Sequence, residues 1–267
     1  MMKLYFDYNV ISYLRTGELP TNISCKIIYK IDFIKQNFSV AFSPAHLEDI
    51  AVSKMRCGVS DDIVEAEIAF LTKLAGRNSL RPVTREKLKI YYDEYPIDCY
   101  KRVIESYGGN DIAEEIDRFV IEDANKNPIF NPKEINNIPP EQVLSENRKY
   151  REIISIGLFN NGIVKNHCER IKSLEWKFDD IKDRFYIFEA YVNLAANLLE
   201  KMGYFREKEK KYRSRLHDVS HIIYAAYCDI FVSSDKKMLN KTKAIYSMLD
   251  VPTKVISFDE FQKILDE

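Results

Sequence analysis

Short apolar runs sit near the two ends of the chain, and helical periodicity fills its middle. Leu4-Tyr5-Phe6 is a compact apolar run closed by Asp7, which predicts a buried strand. Val10 to Leu14 continues as a short helix, stopped by Thr16-Gly17 and Pro20. Residues 22–37 predict a helix, with Ile27, Ile28, Ile31 and Ile34 at helical spacing. Ser39-Val40-Ala41-Phe42 predicts a second strand. Ser43-Pro44 then opens a helix, because Ser is a good N-cap and Pro is favoured at the first helical position. That helix carries Glu48 and Asp49.

From about residue 60 to 215 the pattern is almost entirely helical. Ile63, Ala66, Phe70 and Leu74 form one apolar stripe. Ile181, Phe185, Phe188, Val192, Ala195 and Leu199 form a longer one in alternating steps of four and three. Between them, Pro128, Pro132, Pro139 and Pro140 predict a loop or hinge over residues 125–140. From Leu216 the alternation of strand and helix returns. It predicts a helix over 217–228, a strand over 230–234, a helix over 236–249, a strand over 254–257 and a last helix over 259–265. Such alternation argues for a parallel sheet. The fold class is therefore α/β, a mainly parallel sheet built from both termini plus a large all-α insertion. Residues 1–58 and 216–267 would form the α/β domain, and 59–215 the helical insertion.

The 267 residues can bury a sizeable core without disulfides or structural metal. With 40 basic and 41 acidic residues the net charge is −1, so any basic surface must be local. The five cysteines are dispersed and include no CxxC pair, which reads as free thiols in a reducing compartment. No hydrophobic signal core or run of about 20 apolar residues is visible. These features predict a cytoplasmic protein with no membrane partner.

The candidate chemistry is acidic. Asp7 closes the first strand, and Glu48 lies in the first turns of the helix after the second. Asp218 is expected to begin the 217–228 helix, and Asp235 to close the 230–234 strand. In open parallel sheets, ligand sites lie beyond the carboxyl ends of the strands, which would place all four on one rim. Carboxylates gathered there repel unless a cation sits between them. An all-oxygen donor set suits Mg²⁺ or Mn²⁺ better than zinc. Singly, each acid has an ordinary explanation: Asp218 and Asp235 as helix N-caps, Glu48 as a solvated residue beside Asp49. Asp7 is the hardest to explain structurally.

Four segments carry a resemblance in order. Leu4-Tyr5-Phe6-Asp7-Tyr8-Asn9-Val10-Ile11 resembles the opening of PIN-domain nucleases, a hydrophobic strand ending in Asp-x-Asn. Ser43-Pro44-Ala45-His46-Leu47-Glu48-Asp49-Ile50 is similar to that family's second motif, which supplies a Glu. Asp218 to Ala226 resembles the third, and Cys228 to Lys236, with Ser233-Ser234-Asp235, the fourth. The resemblance covers roughly 1–55 and 215–265. It implies a PIN-like three-layer fold and a Mg²⁺- or Mn²⁺-dependent phosphodiesterase, an endoribonuclease with RNA favoured over DNA. Asp7, Glu48, Asp218 and Asp235 become metal ligands, and Asn9 and Ser233 supporting polar groups. The insertion of about 150 residues departs from the family's usual size.

Two further signals remain. His217 and His221 lie four apart, and His217-Asp218 resembles the HD phosphohydrolases, but the strands argue against that all-helical fold. His221 is expected to pack or hydrogen-bond beside the site. Arg206, Lys208, Lys210, Lys211, Arg213 and Arg215 lead into Asp218 and could hold a phosphate backbone, or else form a solvated helix end. The alternative to an enzyme is a catalytically weak PIN-like module that binds RNA or a protein partner through the helical region. Homo-oligomers remain open.

Overall fold

The computed structural model describes residues 1–17, 30–83, 87–106, 111–145, 148–160, 176–208 and 212–266. Among them the strands are β1 (Met2–Phe6), β2 (Phe38–Ala41), β3 (Ser79–Val83), β4 (Lys87–Tyr91), β5 (Ile230–Ser233) and β6 (Lys254–Ser257). Four of these form one parallel sheet in the order β2-β1-β5-β6. The first strand of the chain therefore lies inside the sheet, flanked by the second and by one more than two hundred residues later. Tyr5 is in register with Ala41 on one side and Phe231 on the other.

Both faces of this sheet are covered, as a parallel sheet requires. Leu4, Phe6, Val40, Ile230 and Val232 pack into one core with Val10, Leu14 and Phe261. Tyr5, Ala41 and Phe231 point the other way, into a core with Phe188, Val192, Ile222 and Ile245. The period of two along each strand thus feeds two layers.

The helices that position the site begin with α1 (Tyr8–Thr16), capped by the Asp7 side chain and ended by Gly17 at φ 71. Next come α2 (Ile31–Asn37), α3 (Pro44–Cys57), α4 (Asp61–Ala75) and α5 (Pro96–Ser106). The middle of the chain adds α6 (Asp111–Lys126), α7 (Pro132–Ile135), α8 (Pro140–Val143), α9 (Arg148–Asn160), α10 (Phe178–Ile181) and α11 (Phe185–Met202). Then follow α12 (Tyr212–Ala225), α13 (Lys236–Leu249) and α14 (Phe258–Asp266).

Several elements differ from their sequence expectation. β3 and β4 pair antiparallel inside the region expected to be all helical. Pro82 removes a backbone donor and disfavours a helix there, while Leu80 and Leu88 anchor the pair in a core. The 181–199 stripe is split, because Ile181 belongs to α10 and a new helix begins at Phe185 after a non-helical Arg184 at φ −130. The proline-rich 125–140 stretch contains two short helices, each with Pro at its start. The helix expected over 217–228 starts at Tyr212, so Asp218 lies within it. Of the helix expected over 22–37, residues 22–29 lie outside the described residues.

The central region divides between the two layers. Val64, Ile68, Leu71, Cys99 and Val103 join the core of α1 and α14. The later helices join the opposite core, where Phe188 and Tyr191 share one cluster with Tyr5 and Phe231. Cys57, Cys99 and Cys228 are free thiols; Cys25 and Cys168 lie outside the described residues. Among the described residues no helix is long and apolar enough to cross a membrane.

Candidate metal centre

Asp7 sits at the carboxyl end of β1, with its backbone N–H bonded to Val232 O at 3.0 Å. That pairing sets its side chain beside the end of β5. Oδ1 accepts from Val10 N at 2.8 Å, and Oδ2 accepts from the Ser233 hydroxyl. Ser233 Oγ in turn accepts from Asp235 N at 3.0 Å. Ser233 thus ties the two acids together. Asp7 is 1% exposed, and burial pushes its carboxyl above the ordinary range. The Ser233 and Val10 bonds and His221 oppose that rise, and the neighbouring Asp235 adds to it.

Asp235 caps α13, with Oδ1 accepting from Lys237 N at 2.6 Å and Met238 N at 3.1 Å. The cap role weighed from sequence is therefore real for Asp235. It is not open to Asp218, which has helical turns on both sides. Asp218 is half-buried, and its surroundings raise its carboxyl well above the usual range. Burial is the main cause. Lys241 counters it, and Asp235, Asp49 and Glu207 reinforce it.

Glu48 Oε2 lies 3.7 Å from His217 Nδ1, and its charge acts on His217, Tyr224 and Glu189. Asp49, the next residue of α3, is within electrostatic reach of Asp218. Consecutive helical residues diverge by about 100°, so the two acids of a Glu-Asp pair cannot serve one site alike. His46 anchors the start of α3. Its Nδ1 accepts from Ser43 N at 3.1 Å, so Nε2 carries the proton and donates to Phe6 O at 2.8 Å. This fastens α3 to the residue before Asp7, and Asp49 lies one turn further on the same side. The ring is buried and its pKa falls to about 3, chiefly from desolvation, so it stays neutral.

The supporting residues divide similarly. Ser233 is buried between two acids, whereas Asn9 is exposed on α1. In the basic segment, Arg206 donates to Ala124 O at 3.0 Å, and Arg215 is 3% exposed and lies 3.6 Å from Glu200. Both guanidinium groups find acceptors inside the protein, with Arg215 buried and Arg206 half-buried. Lys208 is exposed. Lys210, Lys211 and the Arg213 side chain lie outside the described residues.

Behind Asp218 runs a buried charge network. Lys241 donates to Glu200 and lies 3.4 Å from Glu207, and Lys237 bonds Glu207 at 3.0 Å. The backbone N–H of Glu207 donates to Glu200 Oε2 at 2.8 Å. Lys241 is therefore both a structural tie from α13 to α11 and the main positive charge acting on Asp218.

The donor set fits a hard divalent cation in its chemistry. It offers carboxylate oxygens, and two of them are held against burial and like charge. Asp7 and Asp235 each retain lone pairs beyond the bonds described. Among the described residues, no three His, Cys, Asp or Glu side chains are already closed around a common point that could hold a metal. Searches of protein-family profiles, curated proteins and solved structures found no match to this chain.

Proposed function

We propose that this chain is a PIN-like, Mg²⁺- or Mn²⁺-dependent nuclease that cleaves RNA, with Asp7, Asp49, Asp218 and Asp235 as its metal-facing carboxylates. Asp49 takes the place expected of Glu48. The observation that carries this reading is the meeting of Asp7 and Asp235 at the ends of adjacent parallel strands, joined through Ser233, with Asp235 also opposing the charge of Asp218. A bound divalent cation would relieve that opposition, acidify a water molecule and stabilise charge developing on phosphate. Ser233 would keep Asp7 oriented, and Lys241 would limit the negative charge at Asp218. Lys208, with Lys210, Lys211 and Arg213, would contact the backbone of the substrate. The parallel sheet with helices on both faces is compatible with the three-layer PIN-like architecture.

The deciding assay incubates the full chain with RNA and DNA substrates under Mg²⁺, Mn²⁺ and EDTA. Metal-dependent RNA cleavage that disappears in Asp7→Asn and Asp218→Asn supports the reading. Cleavage that survives both substitutions overturns it.

A second reading is a binding module without catalysis. It is favoured by the use of Asp7 and Asp235 in helix caps and by the absence of a closed acidic triad among the described residues. The helical region also exposes Phe119 at 71% and Ile156 at 60%, which suits a protein partner or a second copy. Absence of cleavage on every substrate, with retained RNA or protein binding, would select it.

A further inference from the structure

Beneath the acidic rim runs an unbroken buried line of side-chain hydrogen bonds. Ser43 Oγ and Tyr5 OH are 2.6 Å apart, Tyr5 OH and His221 Nδ1 2.9 Å, and His221 Nε2 and Asp49 Oδ2 2.8 Å. Tyr5 comes from the central strand, Ser43 and Asp49 from the start of α3, and His221 from α12. Three elements therefore meet at one imidazole. Tyr5 is fully buried and His221 is 2% exposed. The His46 ring packs edge-on against His221, with centroids 4.8 Å apart.

The donors and acceptors are determined by the ends of the line. Asp49 as a carboxylate only accepts, so His221 Nε2 carries a proton and donates. In the neutral ring Nδ1 must then accept from the Tyr5 hydroxyl, which burial keeps protonated. Tyr5 in turn accepts from Ser43. Each group thus has one role, and the ring cannot flip without breaking two bonds.

We propose that His221 is a positioning residue for Asp49, held in one orientation by Tyr5 and Ser43, and that this line aims the Asp49 carboxylate at the cation of the acidic rim. The inference rests on the proposed metal centre. The structural motive is that the Asp49 side chain is partly open to solvent, whereas Asp7 is buried and fixed by bonds from Val10 N and the Ser233 hydroxyl. A carboxylate left free at such a position samples several rotamers. One fixed by a buried donor presents its second oxygen in a constant direction. Partners of metal-ligating groups commonly alter metal affinity by about 10–100-fold when removed.

The test is calorimetric titration of the full chain with Mn²⁺ alone, alongside thermal midpoints measured in EDTA. The variants are His221→Ala, His221→Gln and Tyr5→Phe, with Asp7→Asn and Asp218→Asn as references. The expected result is Mn²⁺ affinity reduced by about 10–100-fold in His221→Ala. A smaller loss is expected in Tyr5→Phe. His221→Gln should recover affinity in part, because its amide can still donate to Asp49. A purely structural histidine would lower the midpoint without this ordering of affinities. Wild-type Mn²⁺ affinity in both His221→Gln and Tyr5→Phe, with weakened binding in the Asp7 and Asp218 references, would overturn the positioning role alone. No Mn²⁺ binding by the wild-type chain, or undiminished binding by both references, would overturn the metal centre and the positioning role together. If His221→Ala does not fold, the other two variants decide.

Discussion

The side chains of Asp7 and Ser233 are hydrogen-bonded although 226 positions separate them in the sequence. The parallel register of β1 and β5 creates this contact, since Phe6 pairs with Val232 and so sets Asp7 beside Ser233, the last residue of β5. Asp7→Asn removes the charge while keeping an oxygen for Val10 N. It should abolish metal-dependent cleavage and leave the EDTA-treated melting midpoint unchanged or higher. A discontinuous cleavage assay and a thermal scan on the same preparation check both halves.

Asp218 gives a pH dependence of definite sign. Its carboxyl is raised in the folded chain, mainly by burial. Folding therefore favours its protonated form. The metal-free protein should be most stable, as far as this group is concerned, below the ordinary carboxylate range. It should lose that contribution as pH rises through the window up to the raised value. Asp218→Asn should remove the loss, raising the neutral-pH midpoint in EDTA by roughly 2–4 °C, the shift about 1 kcal/mol makes in a chain of this size. Saturating Mn²⁺ should stabilise wild type at neutral pH and do little for the variant. An unchanged pH profile in the variant would refute this account.

The two acids of α3 should separate cleanly. Asp49→Asn is expected to weaken Mn²⁺ binding by at least about tenfold, or roughly 1.4 kcal/mol. Glu48→Gln should stay within about twofold of wild type, because its carboxylate faces His217. Titration of both variants reads this directly, and the reverse order would restore Glu48 to the site.

The outline of the α/β portion was legible in the sequence because buried parallel strands are short apolar runs bounded by polar residues. Leu4–Phe6 and Ile230–Ser233 stand out for that reason, and helix 236–249 is framed by Asp235 before it and Asp250 after it. The start of α12 was not legible, since Arg215 and His217 are polar residues buried by long-range partners that no local pattern reveals. Arg206 is half-buried, and its acceptor, Ala124 O, comes from a helix 82 positions earlier. Among the acids, strand ends marked Asp7 and Asp235, whereas the bond between His221 and Asp49 joins residues 172 positions apart and has no local signature.

Lys241→Ala should be strongly destabilising, by about 3–5 kcal/mol, because it leaves Glu200 and Glu207 buried without their common cation. Denaturant unfolding measures this. Replacing exposed Lys208 by Glu should leave stability within about 0.5 kcal/mol. If Lys208 contacts phosphate, the same change should reduce the salt dependence of RNA binding by about one slope unit.

The position of β1 within the sheet has a consequence for biosynthesis. During translation β1 leaves the ribosome about 225 residues before its partner β5, and β2 alone can flank it in the interval. At about 5–20 residues per second that interval lasts on the order of 10–50 s. Throughout it, one edge of a strongly apolar strand remains open to pairing with other chains. The order of the strands therefore predicts a refolding yield that falls as protein concentration rises.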